Sequence, residues 1–306
     1  QPGLGWLLND SDHSSGIQYR SEASVIIKDK ENYEARSTRA PDSWPMFHHF
    51  LNNSRYSTSS TPDENTLVWT AQGIGDKIIS SPTLINGKVF IGYLNNNVYC
   101  LDEKTGNIIW RFQTGSDVYS SAAIVNGKVY IGSNDGRMYC LPEDDPNGNG
   151  VIAGNEIHWS YVTGGSVESS PTVSGGKVYF GSNDDYLYCL DAITGGLVWR
   201  RNMGENTVSS PAVVDDRVYT GAGYYSTSGP SVFSCFNAST GAYVWNITVS
   251  GKVVSSPVVV DGRVYVGMSP NGEVYCLPAE DPNSDGNISA GEVIWTYNTG
   301  SDIEAT

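Results

Sequence analysis

The sequence predicts an all-β fold, a β-propeller of four-stranded antiparallel blades. Three observations predict it: tryptophans at nearly constant spacing, turn-forming dipeptides at fixed places between them, and no helical period from Leu67 onward. The intervals between the tryptophans are 41, 49, 40, 46 and 50 residues, and a period of this size is typical of repeat proteins. The tryptophans are Trp69, Trp110, Trp159, Trp199, Trp245 and Trp295.

Each repeat contains four short segments that suit β-strands. It opens with a small-residue step, Ser-Ser at 80–81 in the first repeat, and a short apolar run follows. The dipeptide Asn86-Gly87 then suits a two-residue hairpin, because both of its positions need positive φ. Alternating strands at 88–92 and 98–101, a Thr-Gly turn and the tryptophan strand complete the unit. Four such strands per repeat are the content of a propeller blade.

We expect five complete blades and part of a sixth. The tryptophans should fill the space between blades, because one such sheet cannot bury both faces alone. The paired serines should lie on the innermost strand, either as tight packing or as a polar channel lining. The expected repeats are 76–110, 116–159, 165–199, 205–245 and 252–295, with a partial repeat around Trp69.

The sequence does not show how the ring closes. Six to eight blades are expected in the complete ring. Residues 301–306 align with 116–121, which open the second repeat. Either the natural polypeptide continues, or another segment or subunit supplies the missing strands.

The first repeat, SSPTLINGKVFIGYLNNNVYCLDEKTGNIIW, resembles the PQQ-like β-propeller repeat. This repeat occurs in quinoprotein dehydrogenases and in the outer-membrane assembly lipoprotein BamB. The segment 44–48 is similar to the lead-in of secreted archaeal and bacterial members. The resemblance covers residues 44–306 and implies a propeller, a scaffold that carries many different activities.

The resemblance does not extend to the chemistry of the dehydrogenases. Those enzymes hold PQQ against a disulfide between adjacent cysteines, and this chain has no adjacent cysteines. The family's catalytic acid and metal ligands do not map onto it either. We therefore expect no PQQ and no enzymatic activity, and a quinoprotein-type oxidoreductase is the least favoured alternative.

The composition and the sequence ends indicate which cellular locations and which classes of binding partner to expect. A formal net charge of −15 and a pI near 4.5 disfavour nucleic acid and anionic lipid surfaces as partners. No apolar stretch is long enough to span a membrane. The chain begins at Gln1, which suggests a removed signal peptide and an extracellular or cell-envelope location.

Residues 1–43 carry no repeat, and we treat them as an N-terminal arm separate from the propeller at 44–306. Residues 17–27, IQYRSEASVII, could form one or two strands. The arm is either a surface extension or a strand donated to the open blade or to a neighbouring molecule.

The five cysteines occupy the same place in each complete repeat. Equivalent positions on neighbouring blades should lie too far apart for a disulfide, and unpaired cysteine packs as a small apolar group. We expect five buried free thiols. The cysteines are Cys100, Cys140, Cys189, Cys235 and Cys276.

Two insertions carry the sharpest chemical signal. Both match the calcium-loop pattern D-x-[DN]-x-[DN]-G-x₅-E at every specified position. Both also lie between the cysteine and the tryptophan of a repeat, which are 19 positions apart there and 10 apart in the first repeat. The expected ligands are Asp145, Asn147, Asn149, Val151, Ala153 and Glu156 in loop one (145–156), and Asp281, Asn283, Asp285, Asn287, Ser289 and Glu292 in loop two (281–292).

This spacing suits Ca²⁺, which takes six to eight oxygen ligands. Positions 1, 3 and 5 supply side-chain oxygens, position 7 a carbonyl, position 9 often a water, and position 12 a bidentate glutamate. Ile152 and Ile288, at position 8, should anchor each loop to its blade. Loop two has three carboxylates among these positions and loop one has two, so we expect loop two to bind more tightly. Strands flank the loops, which suggests a static clip.

Two weaker signals concern surface contacts. Asn9, Asn52, Asn237, Asn246 and Asn287 begin N-x-Ser/Thr sequons, which mark sites for N-glycans on a secreted protein. The tyrosine-rich segment 224–229 is either an exposed aromatic contact or an ordinary long hairpin.

These observations favour a secreted or cell-surface, calcium-stabilised propeller that acts as a protein-binding or structural module. The alternative is a self-assembling filament or surface-layer subunit that exchanges a strand through its N-terminal arm. The sequence does not identify the binding partner or the oligomeric state.

Overall fold

The computed structural model describes residues 67–71, 74, 77–224 and 229–303. Every strand or helix assigned in these residues is a β-strand. The strands are β1 (Thr83–Ile85), β2 (Lys88–Tyr93), β3 (Asn97–Asp102), β4 (Ile108–Gln113), β5 (Ala123–Val125), β6 (Lys128–Ser133), β7 (Arg137–Pro142), β8 (Val151–Ile152), β9 (Trp159–Val162), β10 (Thr172–Ser174), β11 (Lys177–Gly181), β12 (Tyr186–Asp191), β13 (Leu197–Asn202), β14 (Ala212–Val214), β15 (Arg217–Gly221), β16 (Ser231–Asn237), β17 (Tyr243–Val249), β18 (Val258–Val260), β19 (Arg263–Gly267), β20 (Glu273–Pro278) and β21 (Trp295–Asn298).

The strands form five antiparallel sheets, one for each expected repeat. Blade one is β1-β2-β3-β4, blade two β5-β6-β7-β9, blade three β10-β11-β12-β13, blade four β14-β15-β16-β17 and blade five β18-β19-β20-β21. The first strands of successive blades contact each other, so they form the inner edge. The short strand β8 leaves blade two and pairs in parallel with β4 of blade one. The predicted β-propeller is confirmed.

The first two strands of each blade are joined by a two-residue turn with positive φ at both positions. In blade one φ is 54° at Asn86 and 75° at Gly87, and in blade four it is 49° at Asp215 and 60° at Asp216. Such a turn matches the twist of the flanking strands. The hairpins predicted from the dipeptides are confirmed at 86–87, 126–127, 175–176, 215–216 and 261–262.

The paired serines form a hydrogen-bonded ladder along the inner edge. The backbone N–H of Ser121 donates to the hydroxyl of Ser170 at 2.9 Å, and the N–H of Ser170 donates to that of Ser210 at 2.9 Å. The same bond joins Ser81 to Ser121 and Ser210 to Ser256. Four of these five serines are buried, Ser81 being the exception. Packing between blades, and not a channel lining, is therefore what these serines provide.

The glycines near the ends of the second strands lie in close contact with the next blade. A Cβ built on Gly181 would collide with the carbonyl oxygen of Thr207, which precedes the first strand of blade four. A Cβ built on Gly92 would likewise collide with the side chain of Val118. A residue with a side chain would therefore push the blades apart.

The recurring tryptophans lie between blades, as predicted. The indole N–H of Trp110 donates to the carbonyl of Glu143 in blade two at 2.9 Å, and Trp245 donates to Ala279 in blade five at 3.0 Å. Both indoles are fully buried. The equivalent bonds are made by Trp69, Trp159 and Trp199. Trp69 packs on blade one in this way although residues 67–71 form no regular strand.

Trp295 differs from the other five tryptophans. Its side chain is 42% exposed and that of Tyr297, on the same strand, is 66% exposed. Among the described residues no blade follows blade five, so nothing covers this face. Ile303 nevertheless packs on Gly267, as Val118 packs on Gly92. Trp295 therefore fills no interblade space among the described residues, and for this indole the expectation stays a prediction.

The five cysteines are buried and free, as predicted. Each lies on the third strand of its blade opposite the recurring tryptophan, as Cys100 lies opposite Trp110. Burial raises the pKa of the Cys140 and Cys189 thiols to about 12. Thiols in this state are poor nucleophiles, because the thiolate is the reactive form.

The N-terminal arm (1–43) and the lead-in segment (44–48) lie outside the described residues. The expectations for them therefore stay predictions.

Candidate functional site

Loop one folds around the carboxylate of its first residue. The N–H of Gly150 donates to one oxygen of Asp145 at 2.6 Å, and the N–H of Asn147 donates to the other at 3.2 Å. At the far end, the N–H of Ala153 donates to Glu156 at 2.7 Å. The Asn147 amide also donates to the Glu156 carboxylate. Positions 3 and 12 therefore lie side by side, although nine residues separate them.

Loop two repeats the same pattern with different side chains. The N–H groups of Gly286 and Asn283 donate to the two oxygens of Asp281, at 2.7 and 3.2 Å. The N–H and the hydroxyl of Ser289 both donate to Glu292, at 2.9 and 2.7 Å. Two loops 136 positions apart in the sequence thus take one backbone course.

The remaining ligand positions close small turns inside each loop. The side-chain oxygen of Asn149 accepts from the N–H of Val151 at 2.8 Å, and Asp285 accepts from Asn287 at 2.8 Å. The glycines at position 6, Gly150 and Gly286, have φ of 82° and 86°. This is the left-handed region that the sharp turn of a calcium loop requires.

Each loop rests on the blade that precedes its own. The N–H of Arg111, on the outer strand of blade one, donates to the carbonyl of Gly150 at 3.1 Å. In blade four, the N–H of Asn246 donates to Gly286 at 3.2 Å, and the N–H of Ile288 returns a bond to Asn246 at 2.9 Å. The loops therefore cover part of an outer strand edge that would otherwise stay unpaired.

The isoleucines at position 8 add an apolar contact at the same boundary. Ile152 is buried in the core that Trp110 and Phe112 form between blades one and two. Ile288 is buried with Trp245 and Ile247 at the boundary of blades four and five. The sequence predicted that these isoleucines anchor the loops to the blade, and the structure places each one in a core shared by the loop's own blade and the preceding blade.

The donor set fits a hard cation. Loss of contact with water acts to raise the pKa of Asp145, but hydrogen bonds from the N–H groups of Gly150 and Asn147 hold that pKa below its ordinary value. Asp145 is therefore charged at neutral pH. Within the described residues no group of three His, Cys, Asp or Glu side chains is placed to hold a metal ion, so the three carboxylates of loop two are not gathered around one point. Any coordination would thus combine carboxylates with amide, carbonyl or water oxygens, the ligands that Ca²⁺ prefers.

The structure describes three of the five sequons. The Asn237 amide donates to Asp216 at 2.7 Å, and its oxygen accepts from the N–H of Thr240 at 2.9 Å. Asn246 and Asn287 face each other at the loop-two bridge. Asn9 and Asn52 lie outside the described residues, as does most of the tyrosine-rich segment, of which Tyr224 and Gly229 are described.

Sequence reasoning did not find the pairing of the loops with the preceding blades, or a cleft beside loop one that contains two arginines. The alternation of residues 110–113, with Trp110 and Phe112 buried and Arg111 and Gln113 exposed, could have placed Arg111 on an outer surface. Nothing in the pattern identified its neighbours. In the described part of the chain, no helix is long and apolar enough to cross a membrane.

Solved structures share this architecture. BamB from Moraxella catarrhalis is 21% identical with a TM-score of 0.57, over 74% of this chain and 66% of that one. Quinohemoprotein alcohol dehydrogenases from Comamonas testosteroni and Pseudomonas putida HK5 are 16% and 17% identical, with TM-scores of 0.66 and 0.62. They match 90% and 92% of this chain but 53% and 51% of their own length. The chain thus spans about two thirds of BamB and about half of the dehydrogenases, and at these identities the likeness shows the fold.

No curated protein sequence matches the chain significantly. The family model described as outer membrane protein assembly factor BamB matches residues 58–151, 151–225 and 194–305, which is more than half of the chain. The chain therefore belongs to the PQQ-like β-propeller repeat family to which BamB gives its description.

Proposed function

We propose that this chain is a calcium-stabilised β-propeller that serves as a structural or protein-binding module outside the cell or in its envelope. One observation carries the calcium part: two insertions with the same ligand pattern take the same course and clamp a blade to the one before it. A cation that orders the loop would hold the two blades together, because the loop backbone pairs with the preceding outer strand.

Weak sites would suit this role. Calcium sites in extracellular modules have dissociation constants of about 10⁻⁴ to 10⁻³ M, and such sites fill only where calcium is abundant. A bound ion stabilises the folded state by mass action. The extracellular or cell-envelope location is proposed on this basis, and protease accessibility of the protein on intact cells tests it.

Calorimetric titration of Ca²⁺ into chelator-treated protein tests the metal sites. Two binding events are expected, the tighter at loop two because it offers three carboxylates. Glu292→Gln should abolish the tighter event and Glu156→Gln the weaker one. A titration without binding heat, or one that neither substitution changes, would reject the proposal.

A non-enzymatic role is supported by the family, whose model is described as an assembly factor. The same fold also occurs in alcohol dehydrogenases, so the hypothesis of an oxidoreductase needs its own test. Reconstitution with PQQ should give no bound quinone absorbance and no alcohol oxidation. Quinone retained after gel filtration would contradict this proposal.

Self-assembly is the second candidate, and the uncovered face of blade five favours it. Trp295 and Tyr297 lie together on this face, and Ile294 beside them is 43% exposed. Light scattering on the purified chain measures its assembly state. Assemblies that Trp295→Ala dissociates would support this role, and a strict monomer at all concentrations would exclude it.

A further inference from the structure

An open cleft of about 430 Å³ lies between blades one and two, beside loop one. β4 and β8 form one wall and β7 forms the other. Its size is within the range of small-ligand sites, about 300–1,000 Å³. No residue that lines it carries a negative charge. The lining residues are Arg111, Phe112, Gln113, Arg137, Tyr139, Val151, Ile152, Ala153, Gly154 and Ile157.

The two arginines give the cleft a positive charge in an acidic chain. The full sequence has a net charge of −15, yet in the part of it that the structure describes neither Arg111 nor Arg137 forms an ion pair. The Arg137 guanidinium donates to the Ser160 hydroxyl at 3.3 Å. A guanidinium offers a planar pair of donors that matches a carboxylate.

The nearby carboxylates are directed at other partners. Asp135 accepts from the Tyr139 hydroxyl at 2.6 Å and from the N–H of Gly115 at 2.7 Å. Glu156 accepts from the N–H of Ala153. Within the described residues neither carboxylate forms a salt bridge with Arg111 or Arg137.

The rest of the cleft is apolar. The Tyr139 ring packs edge-on against Phe112, with centroids 5.2 Å apart. Val151 is 40% exposed, and Ile157 is half-buried. A ligand with one anionic end and a short apolar body would satisfy the arginines and cover these side chains.

The arginines are not a requirement of the repeat or of the calcium loop. At the equivalent place beside loop two, Asn246 follows Trp245 as Arg111 follows Trp110, and Glu273 occupies the Arg137 position on the third strand. Loop two has the same backbone course without the two positive charges. The positive cleft is therefore specific to loop one.

We propose that this cleft binds a small carboxylate with an apolar body. The carboxylate lies between the guanidinium groups of Arg111 and Arg137, and the apolar body lies against Tyr139, Val151 and Ile157. The cleft shares Val151 and Ala153 with the expected calcium ligands of loop one. Arg111 and Arg137, which hold the carboxylate, are not among those ligands, and the proposal stands whether or not the loops bind calcium.

Titration with 4-phenylbutanoate, followed by NMR of the backbone amides, tests this proposal in saturating calcium. Chemical-shift changes are expected at the amides of Arg137, Ala153 and Ile157. The neutral analogue 4-phenylbutanamide should bind with an affinity at least about ten-fold lower. Added salt should weaken the binding, because the arginines are partly exposed.

Arg111→Gln and Arg137→Gln should each weaken binding about ten-fold or more. Arg200→Gln is the matched control, because Arg200 follows Trp199 on blade three as Arg111 follows Trp110, and it should leave the affinity unchanged. Equal binding of acid and amide, shifts confined to other surfaces, or full affinity in both cleft variants would overturn the proposal.

Discussion

The indole N–H of Trp110 donates to the main-chain carbonyl of Glu143 across the boundary between blades one and two, at 2.9 Å. Trp110 lies within β4, the outer strand of blade one, and Glu143 follows β7, the third strand of blade two. The indole therefore fills space between the two sheets and also links them by a hydrogen bond. Trp110 lies opposite Cys100 in the sheet and is fully buried.

Replacing Trp110 with phenylalanine should lower the free energy of unfolding by about 2–4 kcal/mol. The change removes buried volume and leaves the Glu143 carbonyl without its indole donor. Trp295→Phe should cost less than about 1 kcal/mol, because Trp295 is 42% exposed. Urea unfolding of both variants measures the difference, and equal losses would contradict the interblade role.

Gly181→Ala should destabilise the protein by about 1–3 kcal/mol, the usual cost of overpacking. The new methyl group would meet the carbonyl of Thr207, which belongs to the backbone and cannot rotate away. Gly291→Ala is the control, since a Cβ there meets nothing within 4 Å. The melting temperatures of both variants, measured without calcium, test this, and a neutral Gly181→Ala would show that the blades separate easily.

Calcium should slow hydrogen exchange at the blade boundaries on which the loops rest. The amides of Asn246 and Ile288 bond across the boundary of blades four and five. Ordering of loop two reduces their opening, and a ligand at about 100 times its dissociation constant contributes about 2.7 kcal/mol. The amide of Val253, bonded to Ala222 away from the loops, is the internal control. Equal slowing at all three amides would indicate a global effect, and no slowing would contradict the clamp.

Stability should fall as the pH rises above about 9. The pKa of Cys189 is raised from 9.0 to about 12 by burial, so the folded state holds a proton that the unfolded state releases. The stabilisation is complete below pH 9 and is lost as the pH approaches 12, with about 1–1.5 kcal/mol lost per thiol by pH 10. Cys189→Ala should show a shallower decline between pH 8 and pH 10 in urea unfolding. Parallel declines would exclude a contribution of this thiol.

Much of the fold could be predicted because short-range chemistry repeats along the chain. Asn86-Gly87 and Asp215-Asp216 favour a tight turn through their own backbone preferences, and the cysteine recurs 10 positions before the tryptophan, or 19 where a loop is inserted. The exposure of Trp295 could not be predicted in this way. A repeat pattern assigns each unit the same neighbours, whereas burial of an indole depends on whether a neighbour is there.

The candidate site was predictable in its ligands and not in its setting. The spacing from Asp281 to Glu292 identifies oxygen donors, and it says nothing about which strand the loop contacts. The pairing with Asn246 depends on the relative position of two blades, which no local pattern encodes. The sequence alone suggests that Arg111 and Arg137 are separate surface charges, because they are 26 positions apart. The fold brings both of them to one cleft.

The serine ladder has a direction, since each amide along it, from Ser81 to Ser210, gives its proton to the hydroxyl of the following unit. Truncation of the chain is therefore expected to have different effects at its two ends. Trimming from the carboxyl side strips a main-chain donor of its acceptor, and a main-chain group cannot turn elsewhere. Trimming from the amino side only frees a hydroxyl, which rotates to a new partner.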